Sequence, residues 1–482
     1  MARRMADEIG FDMSMSADDD KPHEECGVFG IYAPDEDVAR LTFFALYALQ
    51  HRGQESAGIA ASDGNRISLR TNLGLVAQAF DEDDLSALSG HLAVGHTRYS
   101  TAGSNRICNA GPVRVQSQLG DIVVAHNGNL TNSVALRAAL EQEGETFLST
   151  TDSEVLAKTI VRADGVSLVE KLRRAMSQME GAFSLAILMS DRLYAVRDPL
   201  GVRPLCLGRL GSHWVISSES CALATIGADF EREVEPGEIV EIDAGGAHSC
   251  GVVGAGRSAL CLFELIYFAR PDSIIRGQRL HLVRQRMGAQ LAQEAPVEAD
   301  VVVGLPDSAT PAAIGYARQA GLPYAEALIK NRYIGRTFIQ PNQRLRETGV
   351  SLKFNVLPEV VAGKRVVLVD DTIVRGTTSR PIVELLRQAG AREVHMRVHA
   401  PPMMWPCHLG VDLAKREELI AARLSVPEIG VYIGADSIGY LSLPGLLQAI
   451  GGERNGFCAG CLTGNYPVRM EASLDKLSLE RV

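Results

Sequence analysis

The chain has 482 residues, of which 46% are hydrophobic and 22% charged, with a formal net charge of −10. That length exceeds one ordinary core, so at least two domains are expected, and the composition excludes a disordered or fibrous protein. The acidic balance excludes broad nucleic-acid binding, which needs a basic face, and no apolar run is long and uncharged enough to cross a membrane.

Residues 1–25 carry Arg3 and Arg4 with no apolar stretch behind them, so they do not read as a secretory signal. With Asp18, Asp19 and Asp20 they read instead as a poorly ordered acidic leader, a propeptide ahead of the first domain. Without export a cytoplasmic location is expected, where the nine cysteines stay reduced.

Residues 26–32 (CGVFGIY) read as a short buried strand, and 42–50 as an apolar helix ending at the turn His51-Arg52-Gly53-Gln54. Strand-like runs follow at 66–70, 91–96, 121–125, 182–189, 193–196, 214–217 and 238–242. Helical stretches at 133–143 and 153–161 interrupt them. Many strands with few helices predict packed antiparallel sheets with helical cover over residues 26–255. Residues 245–257 turn Gly- and Ala-rich and read as the linker to a second domain, 256–482. There the runs 299–304 (ADVVVG) and 365–371 (RVVLVDD) are continuously apolar, as in strands buried on both faces. Each leads through a loop into a helical pattern, 309–320 and 379–389. This is the grammar of a parallel α/β sheet, whose ligands sit at the carboxyl ends of the strands.

Residues 366–379 (VVLVDDTIVRGTTS) carry the most chemistry. An apolar strand delivers Asp370 and Asp371 at its exit. A loop with Thr372, Arg375, Gly376, Thr377, Thr378 and Ser379 then opens a helix. Hydroxyls, a glycine and N–H groups at a helix start form an anion cradle. The two carboxylates suit ribose hydroxyls or a Mg²⁺ bridging sugar and pyrophosphate. This run resembles the phosphoribosyl-pyrophosphate fingerprint of type I phosphoribosyltransferases. Residues 304–310 (GLPDSAT) offer backbone donors and Ser308 to the pyrophosphate and its metal. Residues 330–346, with Lys330 and Arg336, pack five cations into a Gly- and Asn-containing stretch suited to a lid over a charged leaving group.

Cys26 stands where the leader meets the first strand. A thiol of ordinary pKa near 8.5 is only partly ionised at neutral pH. Cleavage after Glu25 frees an α-amino group of pKa about 7.7–8.0, which serves as base to its own side chain. With residues 51–55 (HRGQE), 95–103 (GHTRYSTAG), 126–130 (HNGNL) and 151–154 (TDSE), this start is similar to the glutaminase domain of class II, N-terminal-nucleophile amidotransferases. The resemblance implies that Cys26 is the nucleophile and that Asn127 and the Gly128 N–H are the oxyanion donors. It implies that Arg98 pairs with the glutamine α-carboxylate, Asp152 with its α-ammonium, and that Thr101 supports the substrate.

Cys458 and Cys461 form a CxxC, with Cys261 and Cys407 available to complete a four-thiolate set. Spacing alone leaves structural zinc, a [4Fe–4S] cluster and a redox dithiol open. The order of a glutaminase followed by a phosphoribosyltransferase is similar to the amidophosphoribosyltransferases. Among them, the processed type carries a [4Fe–4S] cluster on cysteines at the positions of these four. That resemblance implies an α+β αββα glutaminase followed by an α/β phosphoribosyltransferase. The implied reaction takes phosphoribosyl pyrophosphate, glutamine and water to phosphoribosylamine, glutamate and pyrophosphate, with Mg²⁺. Purine nucleotides are then expected as feedback inhibitors, and a homotetramer or dimer as the assembly. A glutaminase serving another acceptor and a catalytically dead nucleotide-binding regulator are the alternatives. The motif at 366–379 argues against the first, and the intact set of Cys26, Arg98, Asn127, Gly128 and Asp152 against the second.

Overall fold

Strand Gly27–Tyr32 alternates its side chains between two cores, and this alternation generates the first half of the molecule. Phe29 and Ile31 point to one side, where they meet the helix Val38–Ala48. Val28 points to the other, against a second sheet. The computed structural model describes residues 26–100, 102–254, 256–331, 353–413, 415–452, 456–470 and 478–480.

The first sheet has seven antiparallel strands, with Gly27–Tyr32 between His213–Ser217 and Leu92–Arg98. The second has six, with Gly120–Leu130 between Val113–Ser117 and Gly181–Leu188. Their inner faces meet through Val28, Val94, Val123, Ala125, Ala186 and Ala195, all fully buried. Val38–Ala48 covers the outside of the first sheet, and Asp152–Arg162 with Leu168–Met176 the outside of the second. The result is a helix–sheet–sheet–helix sandwich, as expected.

Two expectations need correction. Residues 246–252 are not a linker. Gly246–Val252 is an edge strand of the six-stranded sheet, paired with Glu238–Asp243. Ser56–Ser62 is a central strand that the sequence reading passed over, because its small residues SAGIAAS have weak strand preference.

The second half is built on four parallel strands in the order Val301–Gly304, Arg365–Asp370, Glu393–Val398 and Ser437–Tyr440. Successive residues of Arg365–Asp370 enter opposite cores, Val367 and Val369 on one face, Val366 and Leu368 on the other. Hence the unbroken apolar run. Helices Thr310–Ala320 and Ser379–Gln388 follow two of these strands, so both candidate loops lie at the carboxyl edge of the sheet. None of the described helices is long and apolar enough to cross a membrane.

Candidate active sites

In the first half, antiparallel pairing sets Gly27 opposite Thr97 and brings Cys26 to the end of the strand that carries Arg98. The Cys26 thiol is buried and lies 3.5 Å from the Tyr99 carbonyl oxygen. Burial is the largest influence on it and pushes its pKa up to about 11, against lowering by the Tyr99 contact and by Arg98. With its nitrogen still in a peptide bond, this thiol is protonated at neutral pH. It needs a base.

Arg98 donates from Nη2 to the Ala102 carbonyl at 2.8 Å, and its Nη1 lies 3.9 Å from Glu55 Oε2. Glu55 also accepts from the Ser100 N–H and hydroxyl at 2.9 and 3.0 Å, so it braces the turn after Arg98. Asp152 opens the helix Asp152–Arg162 and accepts from the Leu130 N–H at 3.0 Å. That bond ties it to the end of the strand bearing Asn127 and Gly128. Arg98, Asp152 and Glu55 are the charged groups whose fields reach the Cys26 thiol. Asn127 is fully buried, and neither its Nδ2 nor its Oδ1 has a hydrogen-bond partner among the described residues. A bare buried amide is costly, and such a group marks a place where something binds.

In the second half, Asp370 and Asp371 leave the strand buried, and Ser308 of the neighbouring loop donates its hydroxyl to Asp371. The Asp371 N–H turns back to Asp370 Oδ1 at 2.8 Å, and Thr372 Oγ1 lies 3.3 Å from Asp371 Oδ1. Arg375 donates from Nε and Nη2 to Glu418 at 3.0 and 2.6 Å. Gly376 has φ +79°, and the Thr377 hydroxyl has no partner among the described residues. Thr378 and Ser379 begin the helix. Lys330 reaches across to Asp307 at 3.3 Å, at the rim of the same two loops.

The four cysteines 261, 407, 458 and 461 line one cavity. Cys261 and Cys458 face each other in a parallel strand pair, and the Leu409 N–H points to Cys407 Sγ at 3.4 Å. Burial pushes the Cys458 thiol up to about 11. Burial, and then the other three thiols, pushes Cys461 well above its ordinary value. Among the described residues no three His, Cys, Asp or Glu side chains are grouped to hold a single metal ion.

A glutamine amidotransferase domain model matches residues 96–225, and a phosphoribosyl transferase domain model matches 272–400. The chain is 51% identical to the amidophosphoribosyltransferase of Synechococcus elongatus, with 96% of each chain covered. It is 50% identical to that of Archaeoglobus fulgidus, over 92% of this chain and 98% of the other. This chain belongs to the amidophosphoribosyltransferase family. Among solved structures it is similar to the allosteric regulatory enzyme of purine biosynthesis, with a TM-score of 0.88, 45% identity and coverage of 94% and 98%. It is equally similar to the Bacillus subtilis glutamine phosphoribosylpyrophosphate amidotransferase complexed with ADP and GMP, at TM-score 0.87 and 45% identity over 94% and 99%.

As in any amidophosphoribosyltransferase, two chemistries share this chain, and the structure groups the expected residues accordingly. Cys26, Arg98 and Asp152 converge in one half, with Asn127 and Gly128 on the strand that Asp152 caps. Asp370, Asp371, Thr372, Ser308 and residues 375–379 converge in the other. Thr101, Arg336 and the leader lie outside the described residues. Sequence reasoning missed Glu55, although it stands in the quoted HRGQE motif. It also missed Arg52, whose partners are far away in sequence.

Two buried histidines give this fold a pH signature. Burial lowers His96 to about 3 and His399 to about 4. Both are neutral when folded and bind a proton when unfolded below about pH 6.5. Each therefore contributes stability that is fully present above that pH and is lost as pH falls. Asp198, pushed up to about 6 mainly by burial, acts oppositely between its unfolded value of 3.8 and 6. Burial lowers His395 and His408 as well, so the histidines outnumber Asp198 and the net effect is a loss of stability as pH falls below about 6.5. The unfolding midpoint is expected to drop steadily from pH 6.5 to 5. A flat profile there contradicts the burial of neutral imidazoles.

Proposed function

We propose that this enzyme converts phosphoribosyl pyrophosphate, glutamine and water to 5-phosphoribosylamine, glutamate and pyrophosphate, passing ammonia internally. The observation that carries this reading is the buried, unpartnered amide of Asn127 on the strand that Asp152 caps, in the half of the molecule that holds Cys26. Arg98 and Asp152 supply the opposite charges that a free amino acid presents, and the Cys26 thiol attacks its side-chain amide. Asn127 Nδ2 and the Gly128 N–H receive the developing oxyanion. The thiol, held protonated by burial, passes its proton to the α-amino group unmasked when residues 1–25 are removed. We place the glutaminase domain at 26–255 and the phosphoribosyltransferase domain at 256–482. Gly246–Val252 still belongs to the first sandwich, and Leu260–Cys261 already pairs with Phe457–Cys458, which supports that boundary.

At the second site the loop 375–379 and the helix start suit the phosphates, and Asp370 and Asp371 the ribose hydroxyls. Asp370, Asp371 and Ser308 would hold Mg²⁺ with the substrate's own oxygens, which that ion prefers to an all-protein cage. Mg²⁺ there would neutralise charge on the departing pyrophosphate. Lys330 stands at the rim as a further cation, and Arg336 is proposed to contribute to binding the phosphates.

The four cysteines suit a [4Fe–4S] cluster. They surround an otherwise largely apolar cavity, and burial raises the thiols of Cys458 and Cys461. All four line one cavity, with Cys261 opposite Cys458. We assign the cluster a structural or oxygen-sensing part, since no electron is transferred in the reaction. Purine nucleotides as inhibitors belong to the same proposal, supported by the relative solved with ADP and GMP, and so does a homo-oligomeric assembly, which rests on the family resemblance.

The test is made on purified, active protein. Glutamine with phosphoribosyl pyrophosphate is expected to release glutamate and pyrophosphate in equal amounts. N-terminal sequencing is expected to begin at Cys26, and the solution to show the broad visible absorption of iron–sulfur. Active molecules that keep residues 1–25 sink the activation chemistry. Absence of pyrophosphate sinks the acceptor.

A further inference from the structure

Nucleophile and oxyanion donors stand on different sheets. Cys26 precedes a strand of the seven-stranded sheet, and Asn127 and Gly128 lie within the six-stranded one. No shared ladder of backbone bonds sets their separation, so something else must hold it.

Beside Cys26 lies a buried cluster of four charges. Arg52, Arg203, Glu219 and Glu264 are each no more than 1% exposed. Arg52 donates from Nε to the Cys26 carbonyl oxygen at 3.2 Å. Its Nη1 donates to Glu219 at 2.5 Å and to Glu264 Oε2 at 3.0 Å, and its Nη2 to Glu264 Oε1 at 2.7 Å. Glu219 is further held by His51 Nε2 at 2.7 Å, the Arg270 N–H at 2.9 Å and the Ser273 hydroxyl at 2.7 Å. Burial alone would raise Glu219, but His51 and Arg52 outweigh it and hold the carboxylate well below its usual range. Two cations and two anions out of water are tolerable only when each is paired and hydrogen-bonded. The arginine fork is what lets Arg52 grip two carboxylates and a carbonyl at once.

Glu264 comes from the second half of the chain. Its oxygen Oε1 lies 3.6 Å from Arg203 Nη1, and Arg203 in turn donates from Nε and Nη2 to the Leu409 carbonyl at 3.0 and 2.6 Å. The segment around Leu409 grips the other sheet. The His408 carbonyl accepts from Asn129 Nδ2 at 3.0 Å, and Gly410 lies so close that a Cβ there would stand 3.1 Å from the Gly128 Cα. One connected set of bonds thus runs from Cys26 through Arg52, Glu264, Arg203 and Leu409 to the oxyanion strand.

We propose that Glu264 is a positioning residue for ammonia release: acting through Arg52 on Cys26, the acceptor domain sets the distance between nucleophile and oxyanion donors. The inference rests on the assignment of Cys26 as nucleophile. It makes the first half incomplete as a glutaminase without the second, although all the reacting groups lie in the first. A misplacement of about 1 Å in such a site costs on the order of a hundredfold in rate.

The test uses the full processed chain. Glu264→Gln keeps the shape but removes the charge that holds Arg52. The expected result is a fall of at least about tenfold in glutamine-dependent kcat, with KM for glutamine changed by less than about threefold. Ammonia-dependent turnover is expected to stay within about twofold, because no step at the acceptor site uses Glu264. The double change Arg52→Gln with Glu264→Gln is expected to be no worse than either single change, since the pair acts as one unit. If Glu264→Gln does not fold, Glu264→Asp leaves no unpaired buried cation and reads the same ratio of the two activities. Equal loss of both activities, or no loss of the glutamine reaction, overturns the proposal. Retention of glutamine turnover by Cys26→Ala overturns instead the assignment on which it rests.

Discussion

Cys26→Ala is expected to lower glutamine-dependent turnover by at least about a thousandfold while ammonia-dependent turnover stays within about twofold. The asymmetry follows from the separation of the two sites. Cys26, Arg98, Asp152 and Glu55 lie in the antiparallel sandwich. Asp370, Asp371 and Ser308 lie at the carboxyl edge of the parallel sheet. Ammonia added from solution needs only the second. Alanine also removes the group whose high pKa makes activation by the freed amine necessary, so no partial rescue by raising the pH is expected in this variant. In the unaltered but unprocessed chain the glutamine reaction is expected to stay silent at neutral pH, where burial keeps the thiol protonated. Initial rates with each nitrogen source, measured on the same preparation, check both statements. A loss of both activities together points to collapse of the fold rather than removal of a nucleophile.

Much of this arrangement was legible from residue order. Strands buried on both faces, such as Arg365–Asp370, carry an unbroken apolar run, and the two aspartates at its exit announce a polar ligand. Gly27–Tyr32 was legible for a related reason, since all six of its residues lie in or against a core. Gly246–Val252 was not. It is an edge strand, half exposed, and its glycines and alanine look like linker when its partner strand is unseen. The cluster of Arg52, Glu219 and Glu264 was hidden for a deeper reason. Single charges at positions 52, 219 and 264 carry no local pattern, and only the packing of two domains shows that they neutralise one another. Asp152 sits between these cases. Its place as the first residue of a helix could be inferred from Thr151 ahead of it, whose side chain accepts from the Glu154 N–H. Its bond to Leu130 could not.

Gly128→Ala is expected to lower glutamine-dependent kcat by about a hundred- to a thousandfold, the usual cost of one oxyanion donor. The argument is steric as much as electronic. Gly128 has φ +145°, a conformation that alanine resists, and a Cβ there would meet the Ala182 carbonyl oxygen at 2.0 Å. Ala182 lies on the neighbouring strand, paired with Asn129, so the clash can be relieved only by displacing the ladder or twisting the 128 peptide. Either movement swings the Gly128 N–H from its aim and drags Asn127 with it. Gly410 presses on the same residue from the second domain and closes the other route of escape. The substrate's charged ends are still met by Arg98 and Asp152, so KM for glutamine should change by less than about threefold. The thiol remains, and labelling of Cys26 by a diazoketone glutamine analogue should fall less than turnover does, because alkylation needs less oxyanion stabilisation than amide cleavage. If KM rises and kcat stays, Gly128 contributes to binding the ground state, and the oxyanion is received elsewhere.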